Sequence, residues 1–193
     1  YNTDGTGYMR AVKEAGFSIK GEKMTLLGAG GAATSILVQA ALDGVREISV
    51  FCRPRKSTEH ARQVINQLTK QTACKINLFD YSDESVIKKE LLTSRILTNG
   101  TNVGMAPDAD RSLITSADFF NPDLIVSDVI YNPRETKLME IAKSQGCSCF
   151  NGLYMLLYQG AEAFTLWTGE QMPVELVKER YFDEPEARPR TAQ

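Results

Sequence analysis

The chain has 193 residues, which is enough for one full domain with a sizeable core or for one domain plus a small partial one. Its composition, with 42% hydrophobic and 24% charged residues, is typical of globular proteins. The formal net charge of -2 and the lack of a long basic run argue against a nucleic-acid-binding surface. No apolar run approaches the roughly 20 residues that a membrane-spanning helix needs, and no secretory signal is recognisable. We therefore expect a cytoplasmic protein with neither nucleic acid nor membrane as a partner.

The cysteines and the single histidine do not form a metal-binding pattern. The spacings of Cys52, Cys74, Cys147 and Cys149 fit neither a zinc ribbon nor a C-x-x-C pair, and His60 falls on a predicted helix. We expect four free thiols, mostly in or near the core, and no metal site.

The predicted elements begin with a helix over residues 4–15, which Gly16 closes. Before it, the chain starts YNTDG without an initiator methionine. This start suggests a fragment or a processed product of a longer protein.

After this helix, short apolar runs alternate with segments of helical periodicity. Strands are predicted at residues 23–27, 47–51, 76–79, 95–98, 124–127 and 147–150. Helices between them are predicted at residues 31–43, 57–70, 82–92 and 136–145, with Ser82 as the cap of the third. Two last helices are predicted over 153–167 and from Pro173, at the first helical position, to Tyr181. This alternation predicts an α/β, doubly wound Rossmann fold with a six-stranded, mostly parallel sheet and flanking helices.

A glycine-rich turn connects the first strand to the helix that follows it. In Gly28-x-Gly30-x-x-Ala33, the first glycine permits a tight turn, the second lets the backbone approach a pyrophosphate, and the alanine allows close packing of helix on strand. The N–H groups at the helix start then face the anion. The simpler alternative is a glycine turn without a ligand. The predicted phosphate-binding residues are Gly28, Ala29, Gly30, Gly31 and Ala32.

The end of the second strand indicates which dinucleotide is bound. An NAD site usually has an acidic residue there, but the next acid is Glu59, already in the helix. Arg53 and Arg55 occur instead, and guanidinium groups bind a 2′-phosphate bidentately. The sequence therefore favours NADP. NAD stays open because neutral sites exist, and a solvated basic turn is the alternative without a ligand.

Five motifs follow one another in order. They are YNTDG at 1–5, GAGGA at 28–32, NGTNVGM at 99–105, YNPxxT at 131–136 and GxxMLxxQGA at 152–161. Together they resemble the shikimate dehydrogenase family, and the stretch through residues 166–169 is most similar to its quinate/shikimate dehydrogenase branch. The resemblance covers about residues 1–181.

The resemblance implies a two-domain enzyme whose N-terminal domain, about 100 residues long, binds most of the substrate and is lacking here. The implied reaction is the reversible NAD(P)-dependent reduction of 3-dehydroshikimate to shikimate, or of dehydroquinate to quinate, in the chorismate pathway of aromatic amino acid biosynthesis. We expect the fragment alone to be inactive. The oligomeric state is not determined by the sequence, and a homodimer is compatible with it.

The resemblance also implies a division of the chain. The expected parts are a hinge helix and remnant of the N-terminal domain at 1–20, the dinucleotide-binding Rossmann domain at 21–152, C-terminal helices at 153–182 and a mobile tail at 183–193.

Asp4 matches the family's catalytic aspartate. In the family it pairs with a lysine from the N-terminal domain to handle the hydroxyl proton, and no lysine of this chain matches that partner. Hydride loss from a carbinol carbon does require a group that takes the O–H proton. From the residues alone, Asp4 is more simply a helix N-cap.

Two polar residues match substrate contacts of the family. Tyr131 and Gln159 suit a polyhydroxy acid because they offer directed hydrogen bonds. The alternatives are a buried aromatic after strand five and an exposed helix position. A non-catalytic dinucleotide-binding sensor or regulatory module is the competing function, and the combination of Asp4, Tyr131 and Gln159 favours the enzyme.

Further residues match positions beside the cofactor. Val129 and Gly152 match positions where backbone carbonyls meet the nicotinamide carboxamide. Cys52-Arg53 departs from the family's usual Asn-Arg, and Arg55 replaces the aspartate of the NAD-using branch, which again favours NADP. The cofactor set from the later motifs is Asn99, Thr101, Val129, Gly152 and Met155.

Overall fold

The computed structural model describes residues 2–54 and 56–183, and of Lys56 and Ser57 it describes the backbone alone. The strands within these residues are β1 (Lys23–Leu27), β2 (Glu47–Cys52), β3 (Lys75–Asp80), β4 (Ile96–Asn99), β5 (Ile125–Asp128) and β6 (Ser148–Phe150). The α-helices are α1 (Asp4–Glu14), α2 (Gly31–Leu42), α3 (Lys56–Gln71), α4 (Glu84–Leu91), α5 (Lys137–Ser144), α6 (Leu153–Thr168) and α7 (Val174–Tyr181). A 3-10 turn, Ala117–Phe119, lies between β4 and β5.

The strands form one sheet in the order β3-β2-β1-β4-β5-β6, and every neighbouring pair is parallel. This confirms the predicted doubly wound Rossmann fold. All residues of β1, β4 and β5 are buried, because helices cover both faces of the sheet. The strand order reverses between β1 and β4, so the ligand crevice of such a sheet opens at their carboxyl ends, where Leu27 lies beside Asn99.

The roles predicted for Ser82 and Pro173 at two helix starts differ in the structure. Asp83, not Ser82, is the N-cap of α4, because its carboxylate accepts hydrogen bonds from the backbone N–H groups of Ser85 and Val86. Pro173 is the N-cap of α7 and not its first helical residue. Helix α2 ends at Leu42, one residue before the predicted end, and Gly44 just beyond it takes the left-handed conformation, with φ of 90°.

Helix α1 packs tightly between α2 and α6 through two glycines. A Cβ atom at Gly5 would overlap the carbonyl oxygen of Ser35 on α2. A Cβ atom at Gly7 would lie 2.6 Å from the backbone nitrogen of Gln159 on α6. The absence of side chains at both positions therefore allows α1 to lie directly on α2 and on α6.

Tyr8 fixes the same helix to the centre of the sheet. Its buried hydroxyl oxygen lies 2.5 Å from Oγ1 of Thr98 on β4 and 2.9 Å from Oγ of Ser127 on β5. These two hydroxyls also bond to each other at 2.8 Å. Burial raises the pKa of Tyr8 to about 12, so the phenol is neutral at physiological pH. The start of α1 is thereby held over the carboxyl half of the sheet.

The cysteines occupy the expected core positions: Cys52, Cys74 and Cys147 are buried, Cys149 is half-buried, and all four are free. Within residues 2–54 and 56–183, no cluster of three potential metal ligands occurs. No helix in this part of the chain is long and apolar enough to cross a bilayer.

The proposed tail at 183–193 is described only at its first residue. Asp183 accepts a hydrogen bond from the Tyr154 hydroxyl. The remainder of the tail lies outside the described residues.

Candidate functional site

The predicted phosphate loop lies between the carboxyl end of β1 and the start of α2. Gly28 has a φ of 109°, which a side chain would strain, and its N–H donates to the carbonyl of Phe51 at 2.7 Å. Ala33 is fully buried, and a Cβ atom at Gly100 would lie 2.8 Å from its methyl group. These contacts are the tight turn and the close helix–strand packing that the motif predicts.

The space above the same loop is open. Cβ atoms at Gly30 and Gly31 would meet no atom within 4 Å. Gly30 is the N-cap of α2 and provides no side-chain cap, so the first N–H groups of the helix are available to a ligand. An open approach to uncapped N–H groups fits the pyrophosphate of a dinucleotide.

A cleft of about 510 Å³ extends from this loop along the ends of the strands. One wall is residues 28–30, and a second is Cys52 and Arg53 at the end of β2. Residues 101–103, after β4, form a third wall. The cleft therefore brings the phosphate loop, Arg53 and Thr101 to one space.

Arg53 is exposed at this cleft, and Arg55 lies outside the described residues. Tyr81 lines the cleft beside Arg53 and donates a hydrogen bond from its hydroxyl to the carbonyl of Leu113. Burial raises the pKa of Tyr81, and the nearby Arg53 charge opposes that shift. Arg111 is a further cation lining the cleft. The sequence analysis missed Tyr81 and Arg111, because no local motif ties them to the phosphate loop.

Asn99 lies beneath the cleft and shapes the loop after β4. It is 1% exposed, and its Oδ1 accepts hydrogen bonds from the backbone N–H of Thr101 at 3.1 Å and from the Thr101 hydroxyl at 2.7 Å. Its Nδ2 donates to the carbonyl of Val103 at 3.3 Å. Asn99 therefore holds the loop, while Thr101 faces the cleft.

The other three residues of the cofactor set meet where β5 ends and α6 begins. The N–H of Val129 donates to the Asn99 carbonyl at 3.0 Å. Gly152 lies so close to Val129 that a Cβ atom would overlap the Val129 carbonyl oxygen, and its own N–H donates to the carbonyl of Ile130 at 3.0 Å. Met155 is buried in the first turn of α6.

Asp128 is a buried carboxylate that the sequence analysis did not identify, because the predicted strand stopped at Ser127. It is 2% exposed and lies at the carboxyl end of β5. It accepts hydrogen bonds from Asn99, from the backbone N–H of Ile130 and from the Thr136 hydroxyl. Burial raises the pKa of Asp128, and these three donors oppose the shift.

Asp4 is the first residue of α1 and is half-buried. Thr3 occupies the N-cap position, so the interpretation of Asp4 as the N-cap is wrong. Asp4 does not line the 510 Å³ cleft. Its neighbours Asn2 and Gly5 line a second cleft of about 520 Å³, which shares Ala29 and Gly30 with the first.

Gln159 and Tyr131 also lie outside the lining of the 510 Å³ cleft. Gln159 is half-buried beside Gly7. Gly7 is three residues from Asp4 and shares a face of α1 with it, so this packing brings Gln159 near the Asp4 side of the helix. Tyr131 is 48% exposed, which rules out the buried-aromatic interpretation.

Comparison with known proteins shows which family this chain resembles. Residues 152–180 match the family model of the shikimate 5'-dehydrogenase C-terminal domain. Over 180 residues the chain is 53% identical to shikimate dehydrogenase (NADP(+)) of Listeria monocytogenes serotype 4b, covering 93% of this chain and 62% of that relative. The chain is therefore similar to a shikimate dehydrogenase over nearly its whole length.

A second relative, the quinate/shikimate dehydrogenase of Escherichia coli O139:H28, is 45% identical over 179 residues, with 93% of this chain and 62% of the relative covered. The crystal structure of shikimate 5-dehydrogenase from Listeria monocytogenes, in complex with shikimate and NAD, matches with a TM-score of 0.89 at 53% identity. That match covers 92% of this chain and 62% of the other. The chain thus spans 62% of the length of these shikimate dehydrogenase relatives.

Proposed function

We propose that this protein is an NADP-dependent oxidoreductase of the shikimate/quinate dehydrogenase type. It reversibly reduces 3-dehydroshikimate to shikimate, or dehydroquinate to quinate, in the cytoplasm. The observation that carries the proposal is the single cleft in which an uncapped glycine loop, Arg53 and Thr101 face one another. The 53% identity to a relative named for NADP(+) and shikimate supports the same assignment.

The cofactor residues act by binding and orienting a dinucleotide, which supplies or accepts the hydride. The loop from Gly28 to Ala32 receives the pyrophosphate, and Arg53 with Arg55 receives the 2′-phosphate. The carbonyls of Val129 and Gly152 orient the nicotinamide carboxamide. Thr101 lines the cleft, Asn99 holds the loop that carries Thr101, and Met155 supports the start of α6 beside Gly152.

The substrate residues bind the hydroxy acid and handle the proton of its reacting hydroxyl. Asp4 handles the proton of the reacting hydroxyl, and Tyr131 and Gln159 hydrogen-bond the polyhydroxy acid. Support comes from the packing of α1 on α6, which brings the Asp4 face of α1 near Gln159. The lysine partner and most substrate contacts belong to the N-terminal domain that the family resemblance implies.

The division of the chain into 1–20, 21–152, 153–182 and 183–193 is part of this proposal. In this division the hinge helix is α1 and the C-terminal helices are α6 and α7. Because α1 packs on α6, these helices together would join the Rossmann domain to the substrate domain. The proposed partner is a small hydroxy acid, and the proposed assembly is a homodimer.

The test is turnover by the protein expressed from its complete reading frame. Reduced nicotinamide absorbance is followed with shikimate and then quinate, each with NADP and with NAD. We expect turnover with NADP and at least one acid. If neither acid is oxidised while dinucleotide still binds, the enzyme assignment is wrong and a sensor module takes its place.

A substitution at Asp4 tests the proposed transfer of the hydroxyl proton to its carboxylate. Asp4→Asn is expected to lower kcat by about 100- to 10,000-fold, because the amide cannot accept the hydroxyl proton. The matched control is Asp123→Asn, which removes one exposed carboxylate just before β5 and is expected to leave kcat unchanged.

A further inference from the structure

We propose that Asp128 is a positioning residue that couples binding of the dinucleotide to binding of the hydroxy acid. The inference rests on the proposed function and deepens it. Asp128 joins the segment that lines the cofactor cleft to the segment that carries Tyr131.

On the cofactor side, the carboxylate reaches the cleft through Asn99. Nδ2 of Asn99 donates to both Asp128 oxygens, at 3.1 and 3.2 Å. Oδ1 of the Asn99 amide accepts hydrogen bonds from the backbone N–H and the hydroxyl of Thr101. The Thr101 hydroxyl oxygen in turn accepts a hydrogen bond from the N–H of Val103 at 3.1 Å. The orientation of the Asn99 amide therefore sets the conformation of a cleft wall.

On the substrate side, the same carboxylate holds both ends of a short segment. Oδ1 accepts the N–H of Ile130 at 3.0 Å, and Oδ2 accepts the Thr136 hydroxyl at 2.8 Å. Tyr131 follows Ile130 directly and projects from this segment with 48% of its surface exposed. The position of Tyr131 thus depends on the residue that also orients Asn99.

The centre of the linkage is rigid because the side chains of Asp128, Asn99 and Thr136 are buried, whereas Thr101 at the cleft is half-buried. Asp128 is 2% exposed, and Asn99 and Thr136 are each 1% exposed. An ionised carboxylate only accepts hydrogen bonds, and its partners here are the donors on Asn99, Ile130 and Thr136. Asn99 cannot reverse its amide without losing both bonds to Thr101. When bound cofactor orders the Thr101 wall, it therefore also favours one arrangement at Tyr131. Such an energetic coupling between two sites is what allostery requires.

The test measures coupling with a pair that cannot react, NADPH and shikimate, and again with NADPH and quinate. The Kd of NADPH is determined by fluorescence titration of the intact protein, with and without saturating acid, and the ratio of the two values is the coupling factor. We expect a factor of at least about 5 for the acid that the protein turns over, the lower end of typical couplings. A factor of 1 in the parent protein would overturn the coupling proposal.

Two variants locate the coupling. In Asp128→Asn, one carboxylate oxygen becomes an NH₂ group that faces either the Asn99 amide or the Ile130 and Thr136 donors, and the coupling factor is expected to fall to about 1. Thr136→Val removes the hydroxyl on the substrate side alone and preserves the branched shape. Thr136 forms no side-chain cap on α5, so this second variant spares the helix start and is expected to lower the factor as well.

Asp123→Asn is the control and is expected to retain the parent factor. A purely structural role for Asp128 would weaken both ligands while leaving the ratio intact, and that result would overturn the proposal. Turnover is measured in parallel on the parent protein. Lack of turnover with both acids refutes the proposed function, whereas turnover with an unchanged ratio in the Asp128 and Thr136 variants refutes the coupling alone.

Discussion

Arg53 is the residue on which we expect cofactor choice to depend in the described part of the cleft. It is exposed at the end of β2, where an NAD site usually has an acid. We expect Arg53→Ala to weaken NADP binding by about 10- to 100-fold, because a charge-assisted bond to the 2′-phosphate contributes roughly 1.5–3 kcal/mol. NAD binding should change by less than about twofold, since its ribose carries no phosphate. Titration of each cofactor into the intact protein checks both values.

Arg62→Ala is the control for this measurement. Arg62 is exposed on α3 and does not line the cleft, so its removal alters net charge equally without touching the cofactor. If Arg53→Ala leaves NADP affinity intact, or weakens NAD as much as NADP, the assignment of the 2′-phosphate to Arg53 is incorrect.

Local sequence signals identified some residues of the candidate site and could not identify others. Arg53 could be predicted because its place follows from the end of a strand adjoining the phosphate loop. Asp128 could not, because its partners Asn99 and Thr136 are 29 and 8 residues away and meet only when β4 and β5 pair. Arg111 was missed for the same reason, since its loop reaches the cleft only through tertiary packing.

At the scale of elements, hydrophobic periodicity was sufficient to predict the sheet. Runs such as 24–27 and 124–127 are continuously apolar or small, which is typical of parallel strands covered on both faces. The errors fell at ends, as with β5, which extends to Asp128. A strand end is determined by pairing with its neighbour, here Asp128 beside Asn99, and periodicity carries no information about that register.

The α1–α6 contact is the packing feature that the sequence did not predict, and it depends on Gly7. We expect Gly7→Ala to destabilise the protein by about 1–3 kcal/mol, because the new methyl group would lie 2.6 Å from the Gln159 backbone and neither helix can yield without moving. The free energy of unfolding in urea measures this change.

Gly160→Ala is the matched control for that prediction. Gly160 is exposed on α6, next to Gln159, and a Cβ atom there would meet nothing within 4 Å. Alanine has the higher helix propensity, so this variant should be more stable by about 0.5–1 kcal/mol. Equal effects of the two substitutions would show that helix propensity, and not the α1–α6 contact, determines the response at Gly7.

At the scale of the whole molecule, the cleft proposed for the cofactor and the residues proposed for the substrate lie apart. All residues that line the 510 Å³ cleft lie between positions 28 and 113, including the phosphate loop, Arg53 and Thr101. The candidate substrate residues Asp4, Tyr131 and Gln159 lie outside that cleft. The chain also spans 62% of the length of its relatives. Dinucleotide binding should therefore need fewer of the relatives' residues than turnover does.

This separation predicts different behaviour for residues 1–193 expressed alone and for the product of the complete reading frame. We expect the 193-residue chain to bind NADPH with a Kd within about threefold of the longer protein's, a difference under 1 kcal/mol. Its kcat with shikimate or quinate should be lower by at least about 100-fold, because the proposed proton transfer uses a lysine that the family resemblance implies in an N-terminal domain. Parallel NADPH titrations and rate measurements compare the two proteins. Near-equal rates would place the whole catalytic machinery within these 193 residues, and a lost NADPH affinity would mean that the cleft itself needs further chain.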